Sequence, residues 1–191
     1  MNHLEQIRKD SVENLGSLLN REEIDSFISG ELWDSERELI NGYFSTGAKI
    51  LDVACGPGRL SIPLSKRGNE VVGIDQTSEL IDIARKVSLS TNLNLGYRIS
   101  RATDLKFEDE HFHFPIFANN GWGRIPGKEQ RRLALKEIAR VLQPNGRLIL
   151  CVHKRYYFDR KGPYWLWKFL HYYLSRFLGL SLKEIDFGDV F

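Results

Sequence analysis

Ile50-Leu51-Asp52-Val53-Ala54-Cys55-Gly56-Pro57-Gly58-Arg59 is a short apolar run closed by a turn of small residues, and it decides the fold. With Lys49 before it, the run has the length and composition of a buried strand, and Ala54 to Gly58 turns sharply out of it. A helical segment, Arg59 to Arg67, follows, with Leu60, Ile62 and Leu64 apolar. Val71-Val72-Gly73-Ile74-Asp75 is then a second buried strand. A strand that ends in Gly-x-Gly and opens a helix lets backbone approach a ligand, because side chains at Gly56 and Gly58 would stand in the way. Asp75 ends the next strand, 17 residues past Gly58. A carboxylate there accepts both hydroxyl hydrogens of a ribose and disfavours a 2′-phosphate.

Downstream the alternation continues. Ser78 to Ser90 reads as a helix with Leu80, Ile81, Ile83, Ala84 and Val87 on its inner side. Leu95 to Ile99 is a third strand and His113 to Ala118 a fourth. Lys128 to Leu142 is a helix stopped by Gln143-Pro144-Asn145-Gly146, and Arg147 to Val152 is a fifth strand. Strands alternating with helices at this spacing form βαβ units and a parallel sheet, and strands buried on both faces read as continuous apolar runs. The fold class is therefore α/β: a doubly wound, mostly parallel sheet. In the order 3-2-1-4-5, one strand separates Cys55 from Cys151, which places them about 10 Å apart, beyond disulfide reach. Both are read as thiols.

Upstream, the first 45 residues read as helical. Leu4, Ile7, Val12, Leu15, Leu18 and Leu19 recur near helical spacing; Arg21 to Ile28 ends at Gly30; Trp33 to Phe44 is a third helix. The chain is 191 residues with 42% apolar residues, which suits one domain with a real core. A net charge of +2 is too small to point to nucleic acid, and none is expected as a partner. The opening residues are polar, and no apolar run reaches the roughly 18 residues of a spanning helix, so a cytoplasmic protein is expected. No metal site is expected.

Two details choose among nucleoside cofactors. A dinucleotide fingerprint wants a third glycine where Ser61 stands. Asp52, inside the first strand, crowds a pyrophosphate but suits a cationic ligand with an amino group. Residues 50–59 resemble the first motif of class I S-adenosylmethionine-dependent methyltransferases, an acidic residue followed by a Gly-x-Gly turn. Val72-Gly73-Ile74-Asp75 is similar to their second motif. Glu137-Ile138-Ala139-Arg140-Val141-Leu142-Gln143-Pro144-Asn145-Gly146-Arg147 is similar to the helix, turn and strand after their fourth strand. The resemblance covers about Lys49 to Val152 and implies methyl transfer from S-adenosylmethionine. The layout is then a helical cap (1–46), a cofactor-binding core (47–153) and an aromatic helix with a shortened end (154–191). The residues it brings to the cofactor are Asp52, Ala54, Cys55, Gly56, Gly58, Asp75, Gln76, Ala102, Thr103 and Asn119. Arg37, on the helix before the first strand, is placed to meet the carboxylate of the cofactor.

Three positions depart from the family pattern. Ala54 replaces a glycine, which is tolerable if its φ is negative. Arg101 stands where an Asp commonly faces the adenine amine, with Asp104 three residues on. His113 replaces an Asp after Phe112. The closing antiparallel hairpin of the family is also expected to be incomplete: 39 residues follow Val152, most of them in one aromatic helix, and Asp186 to Phe191 is expected to start a strand at most and to be loosely held.

Asn119-Asn120-Gly121-Trp122-Gly123 follows the fourth strand, at the edge where ligands bind in such sheets. Its amides suit the cofactor or an incoming nucleophile, or simply a turn. His153 ends the fifth strand; it is a candidate general base or a structural hydrogen-bonder. From Tyr156 to Phe177 the chain is dense in aromatics, with Lys168, His171, Ser175 and Arg176 as the polar stripe. Three readings stand for Tyr164 to Leu178: a core helix, a substrate lid or partner interface, and a helix in peripheral contact with a membrane. Self-association into a homo-oligomer would cover the same face. Functionally, methyl transfer to a small, apolar molecule leads. The alternative is a catalytically weak or inactive fold of this type that acts as an interaction module. A nicotinamide oxidoreductase is disfavoured by Asp52 and Ser61.

Overall fold

Five parallel strands form one sheet: β1 (Lys49–Val53), β2 (Glu70–Asp75), β3 (Leu95–Ile99), β4 (Phe114–Phe117) and β5 (Ile149–Leu150). Their order is β3-β2-β1-β4-β5, as the sequence predicts. The structure is a computed structural model, and it describes residues 32–89, 93, 95–118, 121–152, 162–182 and 184–187. The helices are α1 (Asp34–Tyr43), α2 (Ser61–Lys66), α3 (Ser78–Leu89), α4 (Lys128–Val141) and α5 (Gly162–Phe177), with a 3-10 turn at Gly121–Arg124. Most of the expected helical cap, 1–31, lies outside the described residues, and so does the region 188–191 of the expected last strand.

The central strand shows why the sheet is doubly wound. β1 is buried from Ile50 to Val53, and its side chains alternate between two cores. Ile50 joins Ile40, Leu60, Leu64, Phe114 and Ile116 on one face. Leu51 and Val53 join Ile74, Phe112, Phe117, Ile138 and Val141 on the other. α1 is fixed to the first face by buried Ile40 and by Phe44, whose ring stacks on Phe114 at 4.4 Å. α4 is fixed to the second by a stripe of Ala134, Ile138 and Val141. Because every strand is parallel, Val53, Asp75, Ile99, Phe117 and Leu150 end at one edge. The chain reverses its direction of travel between β1 and β4, where such sheets hold their ligands.

His113 is explained at the opposite edge. Its Nδ1 accepts the Lys49 N–H at 3.0 Å, and the Lys49 carbonyl accepts the His113 N–H at 2.9 Å. It locks β4 beside β1 rather than serving a ligand. β5 is shorter than Arg147 to Val152, although Cys151 N–H still bonds to the Phe117 carbonyl at 2.9 Å. Cys55 and Cys151 are both free thiols.

The end of the chain corrects one expectation. Asp186 is not loosely held: its carboxylate accepts the Lys128 N–H at the first turn of α4 and lies 3.6 Å from Arg131. It supplies the cap that Gly127 has no side chain to give. Phe187 packs its ring against Phe169 and Tyr172. α5 also turns opposite to its composition. Lys168, Tyr172 and Arg176 face segment 184–187, through Glu184 at 2.6 Å and the Ile185 carbonyl at 2.9 and 3.1 Å. Leu166, Trp167, Leu170, Tyr173, Leu174 and Phe177 are exposed.

Candidate functional site

The turn after β1 is built on positive φ angles: Ala54 at 56°, Gly56 at 55° and Gly58 at 97°. Ala54 therefore corrects the expectation of a negative φ, and it bears a left-handed conformation that costs a non-glycine residue about 1–2 kcal/mol. Its methyl is accommodated because residue 121 is glycine: a Cβ there would lie 2.7 Å from the Ala54 Cβ. The two glycines do different work. A Cβ on Gly56 would meet nothing within 4 Å, so the space beside this residue is open. A Cβ on Gly58 would lie 2.3 Å from the Tyr97 hydroxyl, so Gly58 serves the packing beneath the turn.

Asp75 joins the turn to the cleft. Its Oδ2 accepts the Gly56 N–H at 3.1 Å and its Oδ1 the Thr77 N–H at 2.9 Å. Burial raises its pKa above the ordinary carboxylate value, and these N–H groups hold it back. Beside it opens a cleft lined by Ala54, Ile74, Asp75, Gln76, Thr77, Ser100, Arg101, Ala102, Thr103, Phe117, Gly121, Arg124, Ile125, Pro126 and Gln130. Of the residues expected at the cofactor, the structure brings Ala54, Asp75, Gln76, Ala102 and Thr103 together there. Asn119 and His153 lie outside the described residues.

Asp52, Cys55, Gly56, Gly58 and Arg37 are not among the residues lining the cleft. Asp52 is buried behind the turn and accepts the Ser61 hydroxyl at 2.6 Å. Burial pushes its pKa up to about 7. Burial raises the Cys55 thiol too, and Cys55 packs with Ile81, Ala84 and Tyr97. The Arg37 guanidinium is on the exposed side of α1, donating to the Leu32 carbonyl at 3.1 Å and standing 3.9 Å from Asp34. The charge α1 brings inward is Glu36. It is 1% exposed and takes Arg59 in a two-pronged ion pair at 2.9 and 2.5 Å, with the Trp33 ring 4.5 Å from the guanidinium. Sequence reading missed this pair because its partners are 23 residues apart; an acid on the inner stripe of α1, four residues before Ile40, was the available signal.

The loop that carries Arg101 to Thr103 is held by a clasp that sequence also left unassigned. Arg140 donates to the carbonyls of Leu105 and Phe107, each at 2.8 Å, and to Glu137 and Asp109. Glu137 in turn accepts the Leu105 N–H at 2.9 Å, and its pKa is lowered chiefly by the Arg140 hydrogen bond. Asp104 does not take the place of Arg101: it pairs with Lys106 at 2.6 Å and is not among the residues lining the cleft. Arg124, another residue missed in the sequence, lines the cleft, where desolvation lowers its pKa against the pull of Asp75.

Residues 50–146 match the family model described as a methyltransferase domain. The chain belongs to this family. The methyltransferase domain is 30% identical over 109 residues to the ubiquinone biosynthesis O-methyltransferase of Xanthomonas oryzae pv. oryzae, covering 57% of this chain and 44% of that protein. It thus spans less than half the length of that curated relative. Among solved structures it is similar to a SAM-dependent methyltransferase from Methanosarcina mazei, with TM-score 0.57, 31% identity, and coverage of 63% of this chain and 57% of that one. A TehB-like SAM-dependent methyltransferase from Corynebacterium glutamicum gives TM-score 0.58 and 28% identity over 73% and 71%. S-adenosylmethionine is accordingly the cofactor expected of the methyltransferase domain. The residues present fit it: a carboxylate at the end of β2 suits its ribose, and the backbone at Gly56 is open beside it. No described helix is long and apolar enough to cross a membrane.

Proposed function

We propose that this methyltransferase domain binds S-adenosylmethionine at the carboxyl edge of the sheet and directs its methyl group to an oxygen of a small, apolar acceptor. Asp75 carries the reading. It is a carboxylate at the end of β2, lining the cleft, oriented by two backbone N–H groups that leave lone pairs for ribose hydroxyls. When bound, the cofactor supplies a methyl group on an electrophilic sulfonium. Gly56 then lets the turn approach it, and the Arg101–Thr103 loop, clasped by Arg140, borders the base. Ile74, Phe117, Ile125 and Pro126 exclude water from the reacting groups. Alignment and desolvation are the work of this site. Asn119, which follows β4 in the sequence, and His153, which follows β5, are the residues proposed to meet the acceptor.

Two observations support the acceptor class. The curated relatives are named for O-methylation in ubiquinone biosynthesis. The outward side chains of α5 offer an apolar surface. That same surface favours a second reading, a module that binds through α5, either to a second copy or at a membrane surface. Calorimetry with S-adenosylhomocysteine tests the first reading. Wild type should bind, and Asp75→Asn should lose about 1.5–3 kcal/mol, the range for hydrogen bonds to a charged group. Equal affinity in the variant would remove Asp75 from the site. Transfer of labelled methyl from S-adenosylmethionine to apolar hydroxyl compounds then separates the two readings: a domain that binds but transfers nothing is a module.

A further inference from the structure

Among the described residues every arginine but two is engaged by the fold. Arg59 holds Glu36, Arg131 holds Asp186 and Arg140 holds Glu137. Arg98 and Arg147 lie over the rings of Phe107 and Tyr43. The two left over are Arg101 and Arg124, whose guanidinium groups have no hydrogen bond or ion pair among the described residues. Both line the same cleft. Arg101 stands just beyond β3, and Arg124 ends the 3-10 turn after β4. In the order β3-β2-β1-β4 they therefore come from opposite sides of Asp75. Asp75 is the one acid in this lining, and its oxygens already accept the Gly56 and Thr77 N–H groups. Other nearby acids are committed elsewhere: Asp104 to Lys106, Glu36 to Arg59 and Asp52 to Ser61. The lining thus carries two positive charges against one negative.

We propose that Arg101 and Arg124 form a clamp for an acidic group, a carboxylate or a phosphate, carried by the methyl acceptor on an otherwise apolar body. This rests on the cofactor reading above and sharpens the acceptor class. S-adenosylmethionine has a sulfonium, an ammonium and one carboxylate, so it enters the cleft as a cation. Placed beside two uncompensated guanidinium groups it meets like-charge repulsion, and an anionic second ligand removes that cost. A guanidinium is the side chain suited to the task, because its planar fork gives a carboxylate or phosphate two parallel N–H donors. Both side chains are exposed, so an acidic group can reach them from solvent. Once the ligands fill the cleft and displace water, the pairing strengthens. Phe117, Ile125 and Pro126, in the same lining, offer the surface for the apolar body.

The test is titration calorimetry of the full chain loaded with S-adenosylhomocysteine. Benzoate is the carboxylate probe, phenyl phosphate the phosphate probe, and benzamide the neutral probe of similar shape. At least one acidic probe should bind, with benzamide weaker by about tenfold or more, as charge-assisted hydrogen bonds predict. The tighter of the two acidic probes names the acidic group. Arg101→Gln and Arg124→Gln should each weaken the acidic probe about tenfold and leave benzamide unchanged. Arg132→Gln, the same loss of charge at an exposed ion pair on α4, should change neither. Benzamide binding as tightly as the acids, no binding of either acid at millimolar concentration, or an equal loss in Arg132→Gln would each overturn the proposal. The carboxylate of the cofactor itself is separated by comparing S-adenosylhomocysteine with 5′-deoxy-5′-methylthioadenosine, which lacks it. If the two cleft variants weaken only S-adenosylhomocysteine, the arginines serve the cofactor and the acceptor clamp is overturned. Failure of wild type to bind S-adenosylhomocysteine would overturn the cofactor reading instead, and the three probes would still test the clamp on the free chain.

Discussion

The glycine turn and α5 spend the same kinds of residue in opposite ways. Around the turn, charges are buried and aromatic groups support them: Glu36 holds Arg59, Trp33 stacks over it, and Tyr97 fills the space that Gly58 leaves. On α5, aromatic and leucine side chains face outward, with Phe177 86% exposed, while Lys168 and Arg176 bond inward. One region is closed around a buried ion pair. The other offers apolar area for a contact made elsewhere. Stability should therefore respond to single changes at the turn, and association to changes on α5.

The largest effect should come from splitting the buried pair. Glu36→Ala leaves Arg59 uncompensated and should cost about 3–5 kcal/mol in denaturant unfolding, while Arg37→Ala on the same helix should stay within about 0.5 kcal/mol. A small loss in Glu36→Ala would show that water reaches Arg59 and would erase the contrast. Next, Gly58→Val combines a left-handed φ with a clash on Tyr97 and should cost about 2–4 kcal/mol. Gly56→Ala meets no neighbour and should cost about 1 kcal/mol from φ alone. Its main loss should appear in cofactor affinity. Thermal unfolding of the two variants side by side sharpens the distinction between a glycine kept for packing and one kept for a ligand.

pH gives a third comparison. Asp52 has a folded pKa of about 7 against an ordinary 3.8. The folded state thus binds its proton more tightly than the unfolded chain. Its contribution favours folding at low pH and fades as pH rises from about 4 to 7, by about 1.4 kcal/mol per unit, with no further change above 7. Asp75 acts in the same direction and Glu137 in the opposite one. The Asp52→Asn variant isolates the term: its stability relative to wild type should improve between pH 4 and 7. A difference that is flat with pH would mean that Asp52 is ionised throughout. The smallest stability effect belongs to α5, where Trp167→Ser with Leu170→Ser should change unfolding by less than about 0.5 kcal/mol. The same pair should lower self-association or vesicle binding in sedimentation. If association is unmoved, the face has another use.

These contrasts also mark what sequence made legible. Strand order, the glycine turn and the place of Asp75 follow from apolar runs and turn residues, which are local signals. The φ of Ala54 does not, because it depends on Gly121 across the edge. On α1 the sequence drew attention to Arg37 and left the Glu36–Arg59 pair unseen, because a helix periodicity gives neighbours along one chain segment and says nothing of a partner 23 residues away. Arg140 stood in a recognised segment, yet its targets at Leu105, Phe107 and Asp109 are backbone and loop positions that no spacing encodes. The wheel of α5 shows a polar stripe but not that segment 184–187 would claim it.

The cap that Asp186 places on α4 reaches as far as the cleft. Residues 128 and 186 are 58 positions apart. All five strands precede in sequence the residue that accepts the Lys128 N–H. Ile125, Pro126 and Gln130, around that same helix start, are part of the cleft wall. One wall of the cleft is thus tied to a residue that belongs to no strand of the sheet.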